Sequence, residues 1–192
     1  MQRQDVVSGR TVPAALFIAT VANFVLSGFL IGIAPRMSWL FATGLLIAAA
    51  IGIGICCIIE FASGDVPFAT WFMVFALFLV ATAGETAIEF MGIPHQLMGW
   101  VFAIFSAIFI VLAITMSKVN WQLFGALIVC VLATALLAAM GLSCATPESP
   151  IACASGWLFF IFGLCLFYEA SAMLIISVFG RPVLPIGGPL FK

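Results

Sequence analysis

The sequence predicts an all-α polytopic membrane protein: a bundle of six transmembrane helices forming a single domain over residues 1–192, with both termini cytoplasmic. The first reason is composition. Only 7% of the residues are charged against 66% hydrophobic, a balance that water-soluble domains do not reach. The second is that nearly the whole chain divides into six apolar runs. Each is close to the roughly 20 residues that a helix needs to cross about 30 Å of hydrocarbon. The runs are apolar all round instead of alternating, which favours helices over the period-two strands of a barrel.

The first span, near residues 13–34, follows MQRQDVVSGRTVP and shows no small-residue cleavage pattern, so it is expected to stay in the mature protein. Pro35-Arg36 closes it. The second, near 38–60, carries small residues four apart at Gly44, Ala48, Gly52 and Cys56, with Ala49 and Ile53 beside them. In lipid such a stripe lets backbones approach closely, and it predicts a tightly crossed helix. Ser63-Gly64-Asp65-Val66-Pro67 leads into the third span, near 68–90, and Gly92-Ile93-Pro94-His95 ends it. The fourth, near 96–116, holds Phe102, Phe105 and Phe109, and Ser117-Lys118-Val119-Asn120 joins it to the fifth, near 121–142. A loop with two prolines, Ala145 to Ile151, precedes the sixth span, near 156–178, which carries Phe159, Phe160, Phe162, Phe167 and Tyr168. Residues 179–192 form a C-terminal tail. The aromatic stripes are read as facing lipid or neighbouring helices, and Trp39, Trp71, Trp100, Trp121 and Trp157 as anchors at the membrane interfaces.

Orientation follows from Lys and Arg. With the N-terminus inside, the cytoplasmic face carries Arg3, Arg10, Lys118, Arg181 and Lys192 and the other face only Arg36. The expected location is the plasma membrane, the inner membrane of the cell. A net charge of -1 without a basic cluster gives nucleic acid nothing to bind. His95 is the only histidine, and there is no HExxH, GxSxG, CxxC or P-loop pattern, so neither an enzyme nor a bound cofactor or metal is expected. Cys56, Cys57, Cys130 and Cys165 read as small packing residues. Cys144 and Cys153 flank the loop SCATPESPIAC on the expected outer face, where they are either a disulfide or a pair of reduced thiols.

The informative positions are the polar ones inside the spans: Asn23, Glu85, Glu89 and Glu169. An ionisable group at the centre of a membrane helix costs about 2.5–3.5 kcal/mol on insertion scales, so these side chains should meet protein or water. Glu85 and Glu89 share a helix face near the outer end of the third span. They either reach the headgroups or form a carboxylate pair at an outer mouth. Glu169 stands about 15 Å by helical rise from the inner end of the sixth span, close to mid-membrane. It reads as a hydrogen-bonded structural group or as a proton acceptor in a coupled transporter.

The chain ends FGRPVLPIGGPLFK, which resembles the FGR-x-VLPIG terminus of the acetate uptake transporter family, the succinate-acetate permease type. GICCIIEFASGDVPFATWFMVF is similar to that family's segment joining spans two and three, and Gly156-Trp157 opening the last span is a third point of likeness. The resemblance implies a multi-pass carrier of small monocarboxylates, moved with protons, assembled as a homo-oligomer (a hexamer) in the lipid bilayer with one pathway per protomer. Family pathways narrow at an apolar constriction, which the flanking motifs assign here to Val21, Phe75 and Val131. The family's Asn-Pro-Ala-Pro-Leu-Gly signature is Val12 to Phe17 here, where Pro13, Ala14 and Leu16 keep their type. The family's acidic residue in the last span is Met173 here, one turn from Glu169.

These readings combine into a channel-like, proton-coupled carrier of a small weak acid such as acetate, with Asn23 among the polar groups of its pathway. A short-chain carboxylate needs an apolar passage wetted at its ends. Two other readings stay open: a passive pore for a small neutral solute, and a non-conducting homologue serving as a sensor or as a subunit of a larger complex.

Overall fold

A computed structural model describes residues 11–33, 35–93, 96–146 and 149–190. Arg3, Arg10, His95 and Lys192, and the side chain of Arg36, lie outside the described residues. The chain forms α1 (Val12–Leu30), a short 3-10 turn at Arg36–Ser38, α2 (Trp39–Ser63), α3 (Val66–Met91), α4 (Gln96–Met116), α5 (Trp121–Leu142) and α6 (Pro150–Phe179). All six α-helices are long and apolar enough to cross a membrane.

Local chemistry sets the boundaries. Asp65, Asn120 and Ser149 each stand just before a helix and accept a hydrogen bond from its first turn, from Phe68 N at 3.3 Å, Gln122 N at 2.8 Å and Ala152 N at 3.2 Å. The Ser149 cap and Pro150 start α6 six residues before the expected 156, which puts Cys153 inside the helix. Cys144 and Cys153 are both free thiols. At the other end of the chain α1 stops at Leu30, short of the expected 34, because Ile33 N turns back onto Gly28 O at 3.1 Å.

The helices form a ring in chain order. Successive helices pack side by side except α3 and α4, which meet sparsely, and α6 returns to α1. Neighbours are antiparallel, so the start of α1, the α2–α3 and α4–α5 turns and the end of α6 share one end of the bundle, called here the terminal end. Nothing in a bilayer draws helix to helix as water does, so contact depends on shape. The tightest crossing joins α4 to α5, where a Cβ on Gly141 would lie 2.7 Å from Gly99 Cα. The expected small-residue stripe of α2 divides instead: Ala49, Ile53 and Cys56 are buried, Gly52 faces Ile18, and Gly44 faces open space.

Outside, Ile, Leu, Phe and Val side chains form the surface, with Trp100, Trp121 and Trp157 more than half exposed near helix ends. Trp71 departs from the expected anchor role. It is 2% exposed and packs on Phe68 and Phe72, because this face of α3 turns inward.

Gly141→Ala forces overlap with Gly99, and overpacking of this kind costs about 1–3 kcal/mol. It should lower the thermal unfolding midpoint in detergent. Gly44→Ala adds a methyl to open space and should leave the midpoint unchanged or raise it, since Ala is the better helix former by about 1 kcal/mol.

Candidate functional site

Six helices around a common axis leave a central column for side chains to fill or leave open. Here phenylalanines fill it. Phe78, about 18 Å by helical rise from the start of α3, touches Phe75 on its own helix, Phe102, Phe105 and Phe109 on α4 and Phe159 on α6. The ring centroids lie 5.5–6.1 Å away, edge-on to the α4 rings and stacked on Phe159. Phe75 adds contacts to Phe109 at 6.3 Å and Phe162 at 6.0 Å. Because α3 and α6 are not packed side by side, rings that join them cross the interior. Phe78, Phe102, Phe109, Phe159 and Phe162 are wholly buried, so the axis is closed at mid-depth by an apolar plug.

Polar groups lie toward both ends of this plug. At the terminal end Glu60 is fully buried near the end of α2 and accepts hydrogen bonds from Thr11 N at 2.7 Å and Thr11 Oγ1 at 2.6 Å. Its carboxylate thereby serves the otherwise uncapped start of α1, where the helix dipole also favours negative charge. Glu169 is 1% exposed, and both its oxygens accept from Asn120 Nδ2, at 3.3 and 3.2 Å. Toward the opposite end Glu85 is 2% exposed, beside Thr86, whose hydroxyl shares a 2.7 Å hydrogen bond with Thr43 of α2.

Several expected site residues are repositioned by the packing. Phe75 lies among the buried rings. Val131 is half-buried, and its carbonyl accepts from Ser106 Oγ at 3.2 Å and Thr134 Oγ1 at 3.0 Å. Val21 is 56% exposed and lies on the outer surface, since α1 turns Ala22 and the Thr20–Asn23 face toward its neighbours instead; it does not converge with the other two. Glu169 pairs with Asn120, the residue before α5, and so lies level with the α4–α5 turn, while α6 continues beyond it to Phe179. Glu85 turns inward, and Glu89, one turn on, is half-buried with one carboxylate oxygen also shielded from solvent. Leu16 is buried, Pro13 half-buried and Ala14 exposed at the start of α1.

Asn23 is fully buried at the α1–α6 contact, with Nδ2 donating to Ala19 O at 2.7 Å. One turn earlier Thr20 Oγ1 donates to Leu16 O at 2.9 Å and reaches Gly163 O at 3.4 Å across to α6. Phe102, Phe109 and Phe159 face a neighbouring helix, one of the two expected surroundings, whereas the capping role of Glu60 was not anticipated. The phenylalanines had a readable signal, since 75 and 78, 102 and 109, and 159 and 162 recur at helical spacing.

A cleft of about 440 Å³ runs along α5 and α6, with apolar walls and Gln122, Tyr168 and Glu169 at its terminal end. Cys165 lines it one turn before Glu169.

The chain superposes on a solved structure of the bacterial acetate channel SatP with a TM-score of 0.80, covering 92% of this chain and 97% of that one at 19% sequence identity. The chain therefore has the six-helix fold of a membrane channel. No protein-family model matches the sequence, and no curated protein matches it.

Glu60→Ala leaves Thr11 N and the start of α1 unserved. Leaving a donor without its partner at a buried site costs about 1–3 kcal/mol, so the variant should unfold at a lower temperature, and Thr11→Ala should lose less because its backbone N–H can still donate.

Proposed function

We propose that this protein is a channel-like transporter of a small monocarboxylate such as acetate, with a pathway along the axis of each six-helix ring and the phenylalanine plug as its gate. The observation that carries the reading is the fold it shares, over 92% of its length, with an acetate channel. An apolar constriction between polar ends suits a short-chain acid, whose methyl group is compatible with phenylalanine faces. Glu60, Glu85 and Glu169 are all buried toward the ends of that axis. Ionised carboxylates there would repel a bare anion over several ångströms in a medium of low dielectric. This favours passage together with a proton, with Glu169, Glu85 and Glu89 as coupling candidates and Pro13, Ala14, Leu16, Asn23, Phe75 and Val131 along or beside the route. The orientation with both termini cytoplasmic, in the plasma membrane, rests on the placement of Lys and Arg. A homo-oligomer, hexameric by resemblance, remains part of the same reading.

The completeness of the plug favours a second reading, a homologue that no longer conducts. Uptake of labelled acetate into liposomes at about pH 8, where a carboxylic acid is almost wholly ionised and crosses lipid slowly, separates the two. A carrier should give uptake above empty liposomes that an uncoupler abolishes, and Phe78→Ala should raise it about tenfold or more by opening the plug. Uptake in Phe78→Ala but not in the wild type supports the closed homologue. No uptake in either contradicts an axial pathway.

A further inference from the structure

Residues 181–190 follow α6 and fold back along the terminal end of the bundle. Leu190 N donates to Ser117 O at 2.8 Å, and Trp121 N donates to Gly188 O at 3.1 Å. Gly187 N donates to Gln122 Oε1 at 2.8 Å, while Gln122 Nε2 and Tyr168 Oη both donate to Pro185 O, at 3.4 and 2.9 Å. Pro182, Pro185 and Pro189 stiffen the segment, so less chain entropy is lost when it docks.

Two features connect this segment to the α5–α6 cleft. Trp121, Gln122 and Tyr168, which hold the segment, also line the cleft beside Glu169. Gly187 is seated so close to Asn120 that a Cβ there would come within 2.6 Å of Asn120 Oδ1 and overlap the Trp121 indole. Asn120 in turn caps α5 through Oδ1 and holds Glu169 through Nδ2. One side chain thus joins the tail, the start of α5 and the buried carboxyl.

We propose that residues 185–190 are a latch over the terminal end of the α5–α6 cleft. Docked, the latch keeps Asn120 on Glu169 and shuts the cleft toward the terminal face. Released, it opens the cleft and Glu169 to water on that side. A short strap held by a few hydrogen bonds opens at far lower cost than a transmembrane helix, which suits it to a movable part. The inference does not depend on what the bundle carries.

Cys165 in the cleft reports on the latch. In full-length protein with Cys144→Ala and Cys153→Ala, in liposomes of mixed orientation, alkylation of Cys165 by a membrane-impermeant maleimide is followed by peptide mass spectrometry. Gly187→Val, which cannot seat against Asn120 and Trp121, should raise the labelling rate about tenfold, the loss of one or two hydrogen bonds. Gly188→Ala, whose Cβ meets nothing within 4 Å, should leave the rate unchanged. Tyr168→Phe removes a single latch hydrogen bond while keeping the ring, and should raise the rate a few-fold even where Gly187→Val does not fold. A Cys165 rate equal to wild type in Tyr168→Phe, or in folded Gly187→Val, overturns the latch.

Discussion

In hydrocarbon a helix gains nothing by hiding its apolar side chains, so a ring of helices holds only where surfaces fit or specific groups meet. In this protein the seam that most needs such a device is between α3 and α4, whose backbones scarcely touch. Phe78 supplies it. By meeting three rings of α4 and one of α6, it ties α3 to helices it does not pack along. Each such aromatic pair is worth about 0.5–1.5 kcal/mol beyond the area it buries, and the geometry here is of the favoured edge-on and stacked kinds. The same rings that close the seam fill the axis, so one cluster both holds the bundle together and occupies its centre.

The polar groups are arranged around that cluster in a way that reduces the cost of having them in the membrane at all. Glu60 is matched to the N–H and hydroxyl of Thr11 just before α1, and Glu169 to the amide of Asn120. Both lie at the terminal end, where residues outside the helices supply partners that the middle of a helix does not offer. The mid-depth of the axis is left to phenylalanine.

The fold was largely legible in the sequence, since hydrophobic runs long enough to span leave few alternatives, and α4 and α5 begin and end where composition places them. The start of α6 was not, because Ser149-Pro150 caps a helix that begins inside a loop-like stretch. The site was only partly legible. A helix apolar on every side carries no moment to say which face is buried, and this is why Val21 was expected inside and is outside, while Trp71 was expected at an interface and is in the core. The pairing of Glu169 with Asn120 was not legible either, because it joins residues 49 apart in the sequence. The partners of Phe75 on α4 and α6 depend on the closing of the ring, which local sequence does not encode.

The central claim is that Phe78 and the rings opposite it act as one unit across the bundle. A double-mutant cycle between Phe78 and Phe159, with both single Ala variants and the double variant unfolded in detergent, measures this directly. The account predicts a coupling of about 0.5–1.5 kcal/mol, so that the second truncation costs less once the first is made. Strictly additive losses would mean that the two rings are independent, and would contradict a plug held together through Phe78.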